Sequence, residues 1–130
     1  MTVLLEYSAQ SYRRAKGNYR FRVDTDGAVR VQQNRTDLLD HHGWADGYPA
    51  QPLATFADAE PRLLARLEQD GFFALAALGD APRREGSLQI LAWYGPRART
   101  LRVDRAALPA FDALIGHLVR ELAIDQLLAA

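Results

Sequence analysis

Two stretches in the second half of the chain decide the fold: RLLARLEQDGFF at residues 62–73 and SLQILAWYGPRARTLRV at residues 87–103. The first places leucines on one helical face and ends at Gly71, which is typical of an amphipathic helix stopped by a glycine. The second alternates apolar and polar residues around Gly95 and Pro96, which predicts a two-stranded hairpin. Its first strand has apolar residues on both faces, so we expect that strand inside the sheet.

A second amphipathic helix is predicted after residue 107. Pro109 suits the first turn of a helix because proline has no backbone N–H to leave unpaired there. The apolar residues that follow recur at helical spacing and define one face: Leu108, Phe111, Leu114, Ile115, Leu118 and Leu122.

The first half carries a second hairpin signal. Residues 19–24 alternate strictly, Asp26-Gly27 favours a tight turn, and residues 28–33 return. Tyr19, Phe21 and Val23 are expected to face the core, and Arg20, Arg22 and Asp24 to face water. Before this hairpin we predict an edge strand at residues 3–7 and a loop at residues 8–18.

Residues 34–51 follow no regular period, and glycine, proline and aspartate interrupt them throughout. A short strand is predicted at residues 51–53, and Asp58 is a candidate N-cap for the first helix. Together the elements predict an α+β fold in the order ββαββα. We expect one domain over residues 1–130, a two-layer sandwich in which two helices cover one face of an antiparallel sheet of four to five strands.

The composition excludes several classes of protein. The chain has 130 residues, a formal net charge of zero and no cysteine, so disulfides, thiolate metal sites and a cysteine nucleophile are excluded. No secretory signal or apolar stretch long enough to cross a bilayer is visible, which predicts a cytoplasmic protein that binds no membrane. Fifteen of the sixteen basic residues are arginine, which indicates a GC-rich bacterial genome.

Catalytic and metal-binding motifs are not apparent. There is no Gly-x-Ser-x-Gly elbow and no glycine-rich phosphate loop. His41 and His42 lie among aspartates, but a zinc site needs three or four convergent ligands, and none is specified here. His117 is expected to be a surface histidine with an ion-pair partner such as Glu121 one turn on. We therefore predict a protein that is not an enzyme and has no cofactor and no metal.

The charges are unevenly distributed along the chain. Residues 1–35 and 81–105 each carry a net charge of +4, whereas residues 36–80 carry −6. Outward positions on the strands suggest a basic stripe that would face an anion such as nucleic acid: Arg20, Arg22, Arg30 and Arg102. The alternative is that these arginines pair with Asp24, Asp26 and Asp104 and keep the face solvated. Recognition of RNA bases needs exposed aromatics, and only Trp93 is a candidate for the open face.

The irregular segments carry the residues that are typical of protein contacts. Trp44 and Tyr48 lie in the long loop next to His42, and aromatic side chains are enriched at interfaces. The alternative is that these aromatics fold back on the edge of the core. The predicted partner-binding set also includes the first loop: Tyr12, Arg13, Arg14, His42, Trp44 and Tyr48.

Phe72-Phe73, the hairpin of residues 88–103 and Leu108-Pro109 give the order helix, Phe-Phe, strand, turn, strand, Leu-Pro, helix. Over residues 60–122 this order resembles small bacterial domains of the emfourin type, which inhibit thermolysin-like metalloproteases. It is also similar to uncharacterised bacterial domains with a Tyr-x-Phe-x-Val-x-x-x-Gly hairpin, here Tyr19 to Gly27. The emfourin pattern has a Ser-Gly-Gly-Phe-like segment after its first strand, where this chain has Ser8-Ala9-Gln10-Ser11-Tyr12.

The resemblance implies the same architecture and a non-enzymatic inhibitor or binding role. Our leading hypothesis is therefore a protein-interaction module whose partner is another protein, with protease inhibition as its most specific form. The alternative hypothesis is weak nucleic-acid binding through the arginine face, and steep salt sensitivity would distinguish the two.

Overall fold

The structure is a computed structural model that describes residues 2–11, 18–33, 48–75, 87–104 and 108–124. The strands are β1 (Val3–Ser11), β2 (Tyr19–Asp24), β3 (Ala28–Gln33), β4 (Ala54–Thr55), β5 (Ser87–Trp93) and β6 (Arg99–Val103). The helices are α1 (Ala59–Gln69) and α2 (Pro109–Glu121), and a short 3-10 helix (Phe72–Ala74) follows α1.

The strands form one antiparallel sheet in the order β4-β3-β2-β1-β5-β6. This confirms the α+β class, but the predicted count of four to five strands is too low, and the order along the chain is ββββαββα where ββαββα was predicted. β1 is not an edge strand, because it pairs with β2 on one side and with β5 on the other. It also continues to Ser11, past the predicted end at Tyr7, because backbone pairing with two neighbours does not require apolar side chains.

The hairpin of β2 and β3 is confirmed with the predicted residues. Its register runs from Tyr19 opposite Gln33 to Val23 opposite Val29. Gly27 has a φ of 89°, a conformation that a residue without Cβ adopts readily. The N–H of Gly27 donates to the carbonyl of Asp24, and the N–H of Ala28 donates to Oδ1 of Asp26. The turn therefore satisfies its own backbone groups.

The predicted strand at residues 51–53 lies slightly later, at Ala54–Thr55. This two-residue strand is held at both ends by backbone hydrogen bonds to the β2–β3 hairpin. Leu53 N donates to Val29 O, and Phe56 N donates to Gly27 O, each over 2.7 Å. β4 is therefore formed by its backbone pairing with β3, and its own sequence carries no strong alternation of apolar and polar residues.

The first helix begins and ends where the sequence predicts. Asp58 is the N-cap residue, but it has a left-handed φ of 53° and its side chain makes no capping hydrogen bond, so the predicted mode of capping is wrong. Gly71 follows the helix with a φ of 74°, as expected of a glycine that stops a helix. Phe72 is fully buried after this turn, whereas Phe73 is only half-buried.

Both helices and the sheet contribute to a single buried cluster. The ring centroid of Tyr7 on β1 lies 5.4 Å from that of Phe21 on β2 and 6.4 Å from that of Phe111 on α2. Trp93, the candidate aromatic for the open face, is 1% exposed and belongs to this cluster. It stands opposite the buried Leu5, and its Nε1–H donates to the carbonyl of Pro96.

No helix in the described part of the chain is long and apolar enough to span a membrane. The longer of the two, α2, has 13 residues, whereas a spanning helix needs about 20.

Candidate functional site

One end of the sheet gathers the starts and ends of five strands. Ser11 at the end of β1 stands opposite Ser87 at the start of β5, and Tyr19 at the start of β2 stands opposite Gln33 at the end of β3. Val103 of β6 stands opposite Gln89 of β5. We call this the loop end, defined by Ser11, Asn18, Gln33, Ser87 and Asp104. The opposite end carries the tight turns at residues 25–27 and 94–98.

The predicted contact residues Tyr12, Arg13, Arg14, His42 and Trp44 lie outside the described residues. Their attachment points are nevertheless defined, because residues 12–17 connect Ser11 to Asn18 and residues 34–47 begin after Gln33. Neighbouring strands are about 4.8 Å apart and Ser11 extends two residues past the position opposite Tyr19, so these three attachment points lie within about 12 Å of one another. Both predicted segments therefore leave the sheet from the same end.

Tyr48 is the one predicted contact residue that the structure describes, and it lies half-buried against the sheet. Its ring centroid is 4.2 Å from the guanidinium carbon of Arg20 and 4.9 Å from that of Arg22. Its hydroxyl donates to Oε2 of Glu6 over 2.9 Å. The segment that follows residues 34–47 is thus fastened to β1 and β2 by cation–π contacts and a charge-assisted hydrogen bond.

Burial raises the pKa of Tyr48 above its ordinary value of 10.0, and the Glu6 carboxylate raises it further. Below pH about 10 the phenol is neutral in both states, so its contribution to stability is fully present. Above that pH the unfolded state ionises first, and the contribution is lost as pH rises towards the folded pKa.

We therefore expect Tyr48→Phe to make the free energy of unfolding fall less steeply above pH about 10, by up to about 1.4 kcal/mol per pH unit. Urea unfolding of both proteins between pH about 8 and about 11 measures this slope. The difference between the two proteins should be constant below pH about 9. Curves that stay parallel throughout the range would contradict the placement of Tyr48.

Asp24 is the centre of a charge cluster on β2 and β3. It is 1% exposed, although strict alternation predicted that it would face water. Its Oδ2 accepts from Nη1 of Arg30 over 2.8 Å, and its Oδ1 lies 3.1 Å from Nε of Arg22. The contact between Asp24 and Arg22 is an ion pair without hydrogen-bond geometry. Neither Oδ1 of Asp24 nor Nε of Arg22 has a hydrogen-bond partner. Because Arg22 and Arg30 stand opposite each other, Asp24 neutralises two like charges.

The four arginines of the predicted basic stripe do not come together. Arg22 and Arg30 pair with Asp24, and Arg20 donates through Nε to Oε1 of Gln32 over 2.8 Å. Arg102 lies on β6, three strand spacings or about 14 Å from β2. Three of the arginines thus belong to a cluster with acidic and aromatic neighbours, and the fourth is isolated from them.

A second polar cluster joins the two helices. His117 Nδ1 lies 2.9 Å from Oδ2 of Asp70, at the end of α1, and Arg66 Nε lies 3.2 Å from Oε2 of Glu121. The expected pairing of His117 with Glu121 is therefore wrong, and each has a partner on the other helix. The contact between His117 and Asp70 ties the two helices together.

Among the described residues, no group of three or more histidine, aspartate or glutamate side chains could hold a metal ion. His41 and His42 lie outside these residues, so a metal site there is not tested.

No protein-family model matches the chain, and no curated protein matches it significantly. The resemblance of residues 60–122 to emfourin-type domains therefore stays a prediction.

The sequence missed Glu6 and Asp70 as partners of the residues it singled out, whereas the alternative in which the arginines pair with Asp24 is confirmed for Arg22 and Arg30. For Asp24 a signal was present, because residues two apart on a strand share a face and Arg22 is its neighbour by that rule. For Glu6 and Asp70 there was none, since Tyr48 and His117 are 42 and 47 residues away along the chain.

Proposed function

We propose that this chain is a non-enzymatic protein-interaction module whose contact surface is the loop end of the sheet. One observation carries the proposal: the two segments with the predicted contact residues are attached side by side at one end of a paired sheet. Segments anchored on a rigid scaffold are the common location of binding residues, because the scaffold fixes their attachment without restricting their sequence.

The residue types of these segments fit such a role. Tyr12, Arg13 and Arg14 lie in one segment and Trp44 in the other, and tyrosine, arginine and tryptophan dominate the energetics of protein interfaces. His42 adds a polar group beside the tryptophan. Tyr48 has a different part in the proposal, since its contacts with Glu6, Arg20 and Arg22 fasten the second segment to the sheet.

The most specific form of this proposal is inhibition of a thermolysin-like metalloprotease. It follows from the emfourin-type resemblance of residues 60–122 and takes both helices to cover the face of the sheet that carries Tyr7 and Phe21, as in a two-layer sandwich. In such a layout the helices leave the loop end accessible to a partner.

Weak nucleic-acid binding through the arginine face is the second candidate. The ion pairs of Arg22 and Arg30 with the buried Asp24 favour the protein-interaction proposal over this one. A guanidinium that is already held by a carboxylate has part of its charge neutralised and fewer N–H donors left for a phosphate.

Affinity capture from a lysate of source cells distinguishes the two candidates. The immobilised full chain is treated with nuclease, washed at low and at high salt, and the eluates are read by mass spectrometry and ultraviolet absorbance. We expect one protein partner that survives both treatments. Nucleic acid that elutes with salt, without any protein, would overturn the proposal, because phosphate contacts weaken steeply as salt rises. A captured metalloprotease is then assayed for inhibition by the chain.

A further inference from the structure

The sheet has two edges of unequal length in the described part of the chain. β4 has two residues and follows Pro52, which limits the backbone groups available for pairing. β6 has five residues without proline, and it pairs with β5 in unbroken register from Arg99 opposite Trp93 to Val103 opposite Gln89. A regular edge of this kind, to which no further strand of the described residues is paired, is a template to which an extended peptide can add.

The register identifies which backbone groups of β6 point away from the sheet. Tyr94 N donates to Leu4 O over 2.9 Å, so the even-numbered residues of β5 exchange hydrogen bonds with β1. In an antiparallel sheet successive residues bond to opposite neighbours, and the odd-numbered residues of β5 therefore bond to β6. It follows that the N–H and C=O groups of Thr100 and Arg102 point outward, away from β5.

The side chains at this edge are basic. Thr100 and Arg102 are exposed, and no described residue forms an ion pair or hydrogen bond with the Arg102 guanidinium. Arg97, in the turn before β6, has a 57% exposed side chain whose partner Glu68 is itself exposed, so this pair is weak. Arg99 is engaged elsewhere, since its guanidinium donates to the carbonyls of Phe72 and Leu75.

These contacts make the edge both rigid and selective. The hydrogen bonds of Arg99 fasten β6 to the 3-10 helix. Because β6 is already ordered, a peptide that binds it loses little affinity to the conformational entropy of the strand. A second copy of the chain is a poor occupant, because two antiparallel β6 strands would bring one Arg102 close to the other, and like charges across strands are destabilising.

We propose that β6 binds an extended, acidic segment of a partner protein as an added strand. The outward N–H and C=O groups of Thr100 and Arg102 supply the main-chain hydrogen bonds, and the Arg102 guanidinium pairs with a carboxylate of the added strand. The surface lies along the β6 edge and is distinct from the loop end. This proposal therefore does not depend on the predicted contact residues in segments 12–17 and 34–47.

Two variants of Arg102 distinguish the contribution of its backbone N–H to peptide binding from the contribution of its side-chain charge. Arg102→Pro removes the outward N–H, which proline tolerates at an edge because the ladder to β5 is untouched. Arg102→Glu leaves the backbone intact and reverses the charge. Arg120→Glu is the matched control, since Arg120 is an exposed arginine on α2.

The probe is a displayed library of random peptides of about eight residues, a common strand length, selected against the full chain. We expect enrichment of acidic peptides that bind Arg120→Glu as tightly as the wild type. The same peptides should lose about tenfold or more in affinity for both Arg102 variants, with losses that shrink for Arg102→Glu as salt rises. A library without binders, or peptides that bind the Arg102 variants as tightly as the wild type, would overturn the proposal.

Amide hydrogen exchange supplies a second readout if Arg102→Pro does not fold. In the free chain the amides of Thr100 and Arg102 should exchange fast and those of Leu101 and Val103 slowly, and a selected peptide should slow the first pair. Fast exchange at Thr100 and Arg102 with the peptide bound would contradict strand addition. Loss of the captured partner on Trp44→Ala, with peptide binding retained, would show that the loop end and the β6 edge act separately.

Discussion

Gly27→Ala is expected to lower the free energy of unfolding by about 4 kcal/mol, among the larger effects seen for a single substitution. Gly27 has a φ of 89°, where an L side chain is strained. A Cβ at this position would also lie 2.4 Å from the carbonyl oxygen of Phe56. That carbonyl belongs to the backbone that follows β4, and Phe56 N donates to Gly27 O over 2.7 Å, so relief of the contact would break this hydrogen bond.

Gly71→Ala is the matched control for this prediction. Gly71 has a similar φ of 74°, but a Cβ there would meet nothing within 4 Å. The substitution should therefore cost only the backbone strain, about 1 kcal/mol. Urea unfolding of both variants measures the difference. Equal losses would mean that the close approach of Gly27 to Phe56 is absent in solution.

Asp24→Asn is expected to cost about 3 kcal/mol, because removal of one partner from a buried ion pair leaves the others uncompensated. The substitution preserves the shape of the side chain but leaves Arg22 and Arg30 opposite each other without their shared carboxylate. The loss should be seen as a lower urea midpoint with an unchanged dependence on denaturant, since the native fold is retained.

Asp26→Asn, in the same hairpin, is the control for this charge removal. Asp26 is exposed, and its role is to accept a hydrogen bond from Ala28 N, which an asparagine oxygen also accepts. We expect a change within about 0.5 kcal/mol. If Asp24→Asn were as mild as Asp26→Asn, the buried position of Asp24 would be wrong.

Local patterns predicted those parts of the fold whose interactions are local. The β2–β3 hairpin, the stop of α1 at Gly71 and the start of α2 at Pro109 each depend on residues a few positions apart, and each is confirmed. β1 was misplaced at the edge because its last residues are polar and its second partner, β5, is distant in sequence. Its pairing with β5 joins residues more than 75 positions apart, and no local pattern encodes such a contact.

The same distinction explains the candidate site. Composition identified residues 12–17 and 34–47 as contact segments, and the register of the sheet then supplied their common point of attachment. Alternation placed Asp24 in water, whereas the alternative in which Asp24 pairs with the arginines is confirmed, since Arg22 and Arg30 flank the carboxylate. The hydrogen bond from Arg30 to Ala50 O, in the segment after Tyr48, has no local signal in the sequence. The helical i, i+4 rule paired His117 with Glu121, whereas the packing of α1 against α2 pairs it with Asp70.

The affinity of the captured partner for variants at the two ends of the sheet tests the proposed contact surface most directly. The loop-end variants are Trp44→Ala and the double variant Arg13→Ala/Arg14→Ala, and Thr25→Ala in the opposite turn, at an exposed position, is the control. We expect each loop-end variant to lose about 2 kcal/mol of binding free energy, about thirtyfold in Kd, at unchanged thermal stability, and the control to bind like the wild type. Wild-type affinity in both loop-end variants would contradict the assignment of the loop end as the protein-contact surface.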